Sequence, residues 1–249
     1  MPSNSSGRAS SQPPGASAVI RRVSRLDLTF KPRPWAFADE RRAEIDAHFA
    51  RCRQDKPELW NGRVLLGRNP VFGGDRFAAE YFETDFASFL AWRDWGVPDR
   101  DVFNGFGMGA LLCADGAYVL GQMGDHTANA GRIYFPAGTP DPDDLRGSVV
   151  DIPGSVAREV EEETGLTPSD YRAADHWDCV ITTGSVGMLQ LLQVPMSGEA
   201  LRARIEANLA RETQPELCAI HLVREAADIT PAVSIFARAF LQARFGAVH

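Results

Sequence analysis

Apolar positions along the chain recur at two periods, and their alternation divides it into helices and strands. The run from Phe37 to about Arg53 sets Ile45, Phe49 and Ala50 on one face of a helix. WNGRVLLGR at 60–68 is a strand following an Asn-Gly turn. The spacing of Phe82, Phe86, Phe89 and Leu90 predicts an amphipathic helix over 82–96, with its aromatic residues in the core. MGALLCA at 108–114 and AYVLGQM at 117–123 are two strands joined at Asp115-Gly116, a strong hairpin signal. The glycines before them, Gly105, Gly107 and Gly109, permit close backbone packing, but no helix follows to make them a dinucleotide fingerprint.

Another short strand is expected in GRIYFPAG at 131–138, followed by an acidic, Pro-bearing connection at 139–150. SVAREVEEETG at 155–165 is a short helix stopped by Gly165, with Asp151 and Ser155 as alternative N-caps. Strands at 176–184 and 188–196, a helix at 198–212, a strand at 217–223 and an apolar helix at about 232–245 complete the chain. Alternating element types predict a mixed α/β fold. Residues 1–18, rich in Ser, Pro and Gly, are expected to form a disordered leader.

Composition narrows the function classes. The 249 residues carry 26 basic and 33 acidic side chains, a formal net charge of -7 that argues against a nucleic-acid polymer as partner. A nucleotide substrate remains compatible with it. Arg8, Arg21, Arg22 and Arg25 are unaccompanied by any acid in residues 1–26 and are assigned to a solvated basic tail. Cys52, Cys113, Cys179 and Cys218 are too widely spaced for a compact metal motif and are expected as buried thiols. With no apolar leader of secretory length and no stretch of roughly 20 apolar residues, no membrane association and a cytoplasmic location are expected.

The densest chemistry lies in one helix. Glu159, Glu162 and Glu163 stand at i, i+3 and i+4, so their carboxylates share one side. A cation among them would relieve the repulsion, and an all-oxygen donor set suits Mg²⁺ or Mn²⁺. Charge alone fits a solvated acidic face equally well. The surrounding string from Arg158 through Leu166, REVEEETGL, resembles the REUxEExGU core of the Nudix hydrolases, where U is a bulky apolar residue. Phe135-Pro136-Ala137-Gly138 is similar to the Pro-Gly-Gly loop that opens the family motif.

That resemblance implies a Nudix-type α/β/α sandwich with a mixed β-sheet over 103–249, including the C-terminal helix, preceded by an α/β extension at 19–102. It implies metal binding by Glu159, Glu162 and Glu163 beside the Gly138 backbone, with Arg158 orienting a nearby carboxylate. Glu162 and Glu216 compete as general base. The implied reaction is metal-dependent attack of water on a phosphoanhydride. The N-terminal region and the long connection resemble the UDP-sugar pyrophosphatase branch, which implies an NDP-sugar substrate giving NMP and sugar phosphate. A broad nucleotide or dinucleotide pyrophosphatase and a catalytically weak nucleotide-binding protein are the alternatives. The family's frequent homodimers extend the expectation to a homodimer.

One part departs from the family pattern, which places a Glu six residues after the loop Gly and eight before the Arg. Counting forward from Gly138 reaches Asp144, whereas counting back from Arg158 reaches Val150. Asp151, offset by one, is expected to replace the absent Glu. Arg132, Asn104 and Gln122 are candidate substrate contacts, and Phe106 and Trp177 candidate stacking groups, each with surface or core packing as its alternative. His126, His176 and His221 lack a ligand spacing.

Overall fold

Residues 18–57, 59–127 and 129–246 are described by a computed structural model; the leader expected at 1–18 lies almost wholly outside them. The chain opens with strands β1 (Val19–Val23) and β2 (Arg25–Phe30), helices α1 (Ala36–Glu40) and α2 (Arg42–Asp55), and strands β3 (Arg63–Gly73) and β4 (Arg76–Asp85). Helix α3 (Phe86–Asp94) leads to β5 (Val102–Cys113), β6 (Tyr118–Met123), β7 (Ile133–Tyr134) and β8 (Ala137–Gly138). Then come β9 (Leu145–Arg146), β10 (Val149–Val150), α4 (Ile152–Thr164), β11 (Arg172–Thr182), β12 (Ser185–Val194), α5 (Gly198–Leu209), β13 (Leu217–Val223) and α6 (Ile235–Gly246). This is a mixed α/β architecture with flanking helices, as the alternating pattern predicts.

β5 is the hub. It runs parallel to β12 along ten register positions, from Asn104 opposite Ser185 to Cys113 opposite Val194. It also pairs antiparallel with β6, β8 and β3. The order β1-β11-β12-β5 continues through β3-β4-β2-β10-β9, so the segment before residue 103 shares its sheets with the rest of the chain.

Alternation along β5 separates two layers. Met108 and Ala110 join the core under α6 with Phe135, Leu189, Phe236 and Phe240, while Leu111 joins the core with Val156 and Val160 of α4. Gly107 and Gly109 face α4, and a Cβ at Gly109 would stand 2.6 Å from Val160 Cγ2. The absent side chains let α4 lie directly on the sheet. A third core, with Trp35, Ile45, Leu66, Phe82 and Trp92, lies under α1–α3.

Several predicted boundaries move. The helix expected from Phe82 begins at Phe86, because Phe82 lies within β4, which runs on to Asp85 and whose sequence RFAAEYFETD largely alternates in burial. Asp85 caps the helix by accepting from Ser88 N at 2.9 Å. The helix expected from Phe37 breaks at Arg41 into α1 and α2. Cys113 and Cys179 are buried as expected, but Cys52 is partly exposed and Cys218 exposed, correcting the uniform assignment of buried thiols. Among the described residues, no helix is long and apolar enough to cross a membrane.

Candidate metal and phosphate centre

Helix α4 starts at Asp151, whose carboxylate accepts from Gly154 N at 3.1 Å. Of the two predicted caps, Asp151 is the one used; Ser155 is buried in the first turn. The helix ends at Gly165, where φ of 70° places the backbone in the left-handed region that glycine enters without strain. Between these ends the sequence sets Val156 and Val160 inward and the acidic residues toward the β8 loop.

That loop is pinned to β5. Gly109 N donates to Pro136 O at 2.9 Å, and Gly138 pairs with Gly107. Phe135 is fully buried and anchors the loop's start. Ala137 N donates to Glu163 Oε1 at 3.3 Å. A Cβ at Gly138 would overlap the Glu159 carboxylate, so a side chain there would displace the acid. The loop and two glutamates thus form one closely apposed unit.

Arg158 organises the remainder. Its Nη1 donates to Glu159 Oε1 at 2.8 Å and reaches Glu162 Oε2 at 3.4 Å, while its Nη2 lies 3.2 and 3.1 Å from the two oxygens of Asp144. The Asp144 side chain is only 4 % exposed. Asp151, the expected replacement for the upstream acid, instead caps α4 and approaches Arg146 at 3.8 Å. Asp144 therefore takes the Arg-pairing position predicted for Asp151.

The reason is topological. Leu145–Val150 forms the small β9–β10 hairpin, and Asp151 N donates to Asp144 O at 2.9 Å, closing the excursion at its base. Omitting residues 145–150 leaves Asp144 six residues after Gly138 and seven residues between Asp144 and Arg158, the spacing of the motif that the Arg158–Leu166 string resembles, with Asp for Glu. Counting through the hairpin hides this match. The signal was the Arg-Gly-Ser turn between Leu145 and the two valines.

Burial dominates the local electrostatics. It pushes the Glu159 carboxyl up to about 7; the Arg158 cation opposes the shift, and the charges of Glu162, Glu216 and Asp144 add to it. Glu163 is raised well above the ordinary carboxylate range by burial and then by Glu159. Arg158 is held cationic by the surrounding acids despite its own burial. Glu162 is different: its side chain is 60 % exposed. Glu216 is exposed at the entry to β13, close enough for its charge to act on both Glu159 and Glu163.

The expected triad is consequently uneven. Glu159 and Glu163 face the loop, while Glu162 turns toward Arg158 and solvent. Among the described residues, the three-residue convergence of ligand atoms within 4.8 Å occurs elsewhere, at His48, Cys52 and Asp94. One buried and one partly buried carboxylate, apposed to a loop that leaves no room for a Cβ, are nevertheless an all-oxygen donor set of the kind that suits Mg²⁺ or Mn²⁺.

The other candidates are distributed away from this group or already bonded. Phe106 packs edge-on against Phe236 of α6, with ring centroids 5.0 Å apart, and Trp177 is buried in the core. Gln122 is engaged by His221 at 2.9 Å, and His176 by Asp175 at 3.2 Å. Asn104 accepts from Thr139 Oγ1 at 3.4 Å, which places it beside the loop.

No family model and no curated protein matches the chain. Among solved structures, a Nudix hydrolase from M. smegmatis, RenU, is similar at 16 % identity, covering 57 % of this chain and 86 % of its own, with a TM-score of 0.37. A MutT protein from Methanosarcina mazei Go1 is similar at 20 % identity, covering 58 % of this chain and 93 % of its own, with a TM-score of 0.36.

Proposed function

We propose that the protein is a Nudix-type pyrophosphohydrolase that cleaves a phosphoanhydride in a nucleoside diphosphate derivative, with an NDP-sugar as the leading substrate class. The observation carrying this reading is the Arg158–Asp144 pair, which completes the motif spacing across the β9–β10 hairpin. A solvated acidic face does not account for a buried aspartate, an organising arginine, and the partly buried Glu159 and buried Glu163 of α4 set against one loop.

Glu159 and Glu163 would hold the metal through their carboxylate oxygens, and Gly138 keeps the loop close to them. Arg158 holds Glu159 and Glu162 in register while neutralising Asp144. Mg²⁺ or Mn²⁺, when bound, would offset the diphosphate charge and favour ionisation of the attacking water. Glu162, exposed beside Arg158, takes a proton from the attacking water, with Glu216 the competing base. Oxygen attack on phosphorus breaks the bond to the bridging oxygen, giving a nucleoside monophosphate and a sugar phosphate. The NDP-sugar preference is supported by the N-terminal elements preceding the motif and by the long connection, both features of the resemblance.

The test is product chromatography with Mg²⁺ or Mn²⁺ across NDP-sugars, dinucleotides and nucleoside triphosphates. NMP and sugar phosphate in the NDP-sugar reactions, lost in Glu162→Gln, support the proposal. Cleavage confined to dinucleotides or triphosphates would overturn the sugar preference, and no metal-dependent cleavage by folded protein would overturn the hydrolase reading.

A further inference from the structure

A second group of ligating side chains lies far from α4 in sequence. His48 and Cys52 stand one turn apart on α2, and Asp94 closes α3 opposite them. His48 Nε2 lies 3.0 Å from Asp94 Oδ2 and 3.6 Å from Cys52 Sγ, and the three ligand atoms lie within 4.8 Å of one another. Both contacts use the same ring nitrogen. A thiol–imidazole–carboxylate relay needs its partners on opposite nitrogens. Three atoms converging on one point instead match ligands around an ion.

The dimensions agree with that reading. A tetrahedral zinc site with bonds of about 2.0–2.3 Å has ligand-to-ligand edges of roughly 3.3–3.8 Å, near the two contacts here. Supporting groups fix the donors. Arg93 Nε donates to Asp94 Oδ1 at 3.1 Å, leaving Oδ2 toward His48. Trp95 stands edge-on to the His48 ring, with centroids 5.6 Å apart. Such outer contacts hold metal ligands in orientation.

The donor chemistry also differs from that of α4. A thiolate, an imidazole and one carboxylate suit Zn²⁺ rather than Mg²⁺. The location gives the ion a task, because Ile45 is the one buried residue in the fourteen of α2. Against α3 the helix otherwise adds the partly buried Phe49, edge-on to Phe86 with ring centroids 6.5 Å apart. We propose that His48, Cys52 and Asp94 form a zinc site that clamps α2 to α3, its fourth position open to solvent.

The test uses the full chain, stripped of metal with a chelator and titrated with Co²⁺ alone. Thiolate-to-cobalt charge-transfer absorption reports sulfur ligation and is silent for an all-oxygen site. The expected band is displaced by Zn²⁺, lost in Cys52→Ser and kept in Cys218→Ser. His48→Ala should weaken binding by roughly 100-fold or more, and Arg93→Ala by about tenfold. If Cys52→Ser does not fold, alkylation of the wild type replaces it: Zn²⁺ should slow modification of Cys52 at least about tenfold, as expected for a ligand-bound thiolate, and leave Cys218 unchanged. No thiolate band in folded wild type, a band surviving Cys52→Ser, or unprotected Cys52 would overturn the site. None of these readouts depends on phosphoanhydride cleavage.

Discussion

Asp144 and Asp151 flank the same hairpin, yet their carboxylates have different tasks. Asp144 is buried against Arg158, whereas Asp151 caps α4 by accepting from Gly154 N. Asp144→Ala should lower kcat by about tenfold or more through loss of Arg158 orientation. Asp151→Ala should leave kcat within about twofold and cost roughly 1 kcal/mol of stability as a lost cap. Steady-state kinetics beside urea unfolding separates them; the reverse pattern would return the supporting role to Asp151. Glu159 makes a pH prediction for the metal-free protein. Its carboxyl rises from 4.5 to about 7 on folding, so between those values the folded state keeps a proton that the unfolded state has lost. This contribution lowers stability as pH rises through the window and levels off above it, by about 3 kcal/mol in all. Glu159→Gln should flatten that part of the pH–stability curve, measured by denaturant unfolding. An unchanged slope would show that Glu159 is not the titrating group.

At the level of elements, closeness between α4 and β5 depends on side chains that are missing. A methyl group at Gly107 would overlap Val156 Cγ2 and lie 3.0 Å from Ile152 Cγ2. Gly107→Ala should cost about 2 kcal/mol by overpacking, read as a lower urea midpoint with an unchanged slope. No loss would mean that α4 moves away freely. The strands of this region were legible: Asp115-Gly116 marks the β5–β6 turn, and the helix stop at Gly165 is observed as read. Other elements were hidden for identifiable reasons. Phe82 and Phe86 have helical spacing across a boundary, so β4 and α3 look like one helix. β1 and β2 were obscured because their arginines read as a tail, although Arg22 is directed at Asp178. The glutamates of α4 were legible by spacing and motif, but their unequal burial was not, since it depends on the β8 loop meeting the helix. Likewise, Asp144 becomes recognisable only when the hairpin folds out of the count.

Across the molecule, β1, β11 and α6 meet at Asp178. Its carboxylate accepts from Arg22 Nε at 2.9 Å and from Arg244 Nη2 at 2.6 Å, tying both ends of the described chain to the central sheet. Asp178→Ala should destabilise the protein by about 2–3 kcal/mol, whereas loss of the more exposed Arg22 should cost less. Thermal unfolding checks the order; equal losses would show that the aspartate is not the shared anchor. The same sheets carry α4 and the loop at Gly138, so the N-terminal strands and the C-terminal helix stabilise the framework on which the acidic centre is built. The most direct test of that centre compares turnover by wild type and Glu163→Gln on the best substrate with added Mg²⁺ or Mn²⁺, after circular dichroism establishes that both are folded. The account predicts metal-dependent release of NMP by the wild type and a loss of roughly 100-fold or more in kcat for the variant. Metal-independent cleavage, or equal turnover by the two proteins, would contradict it.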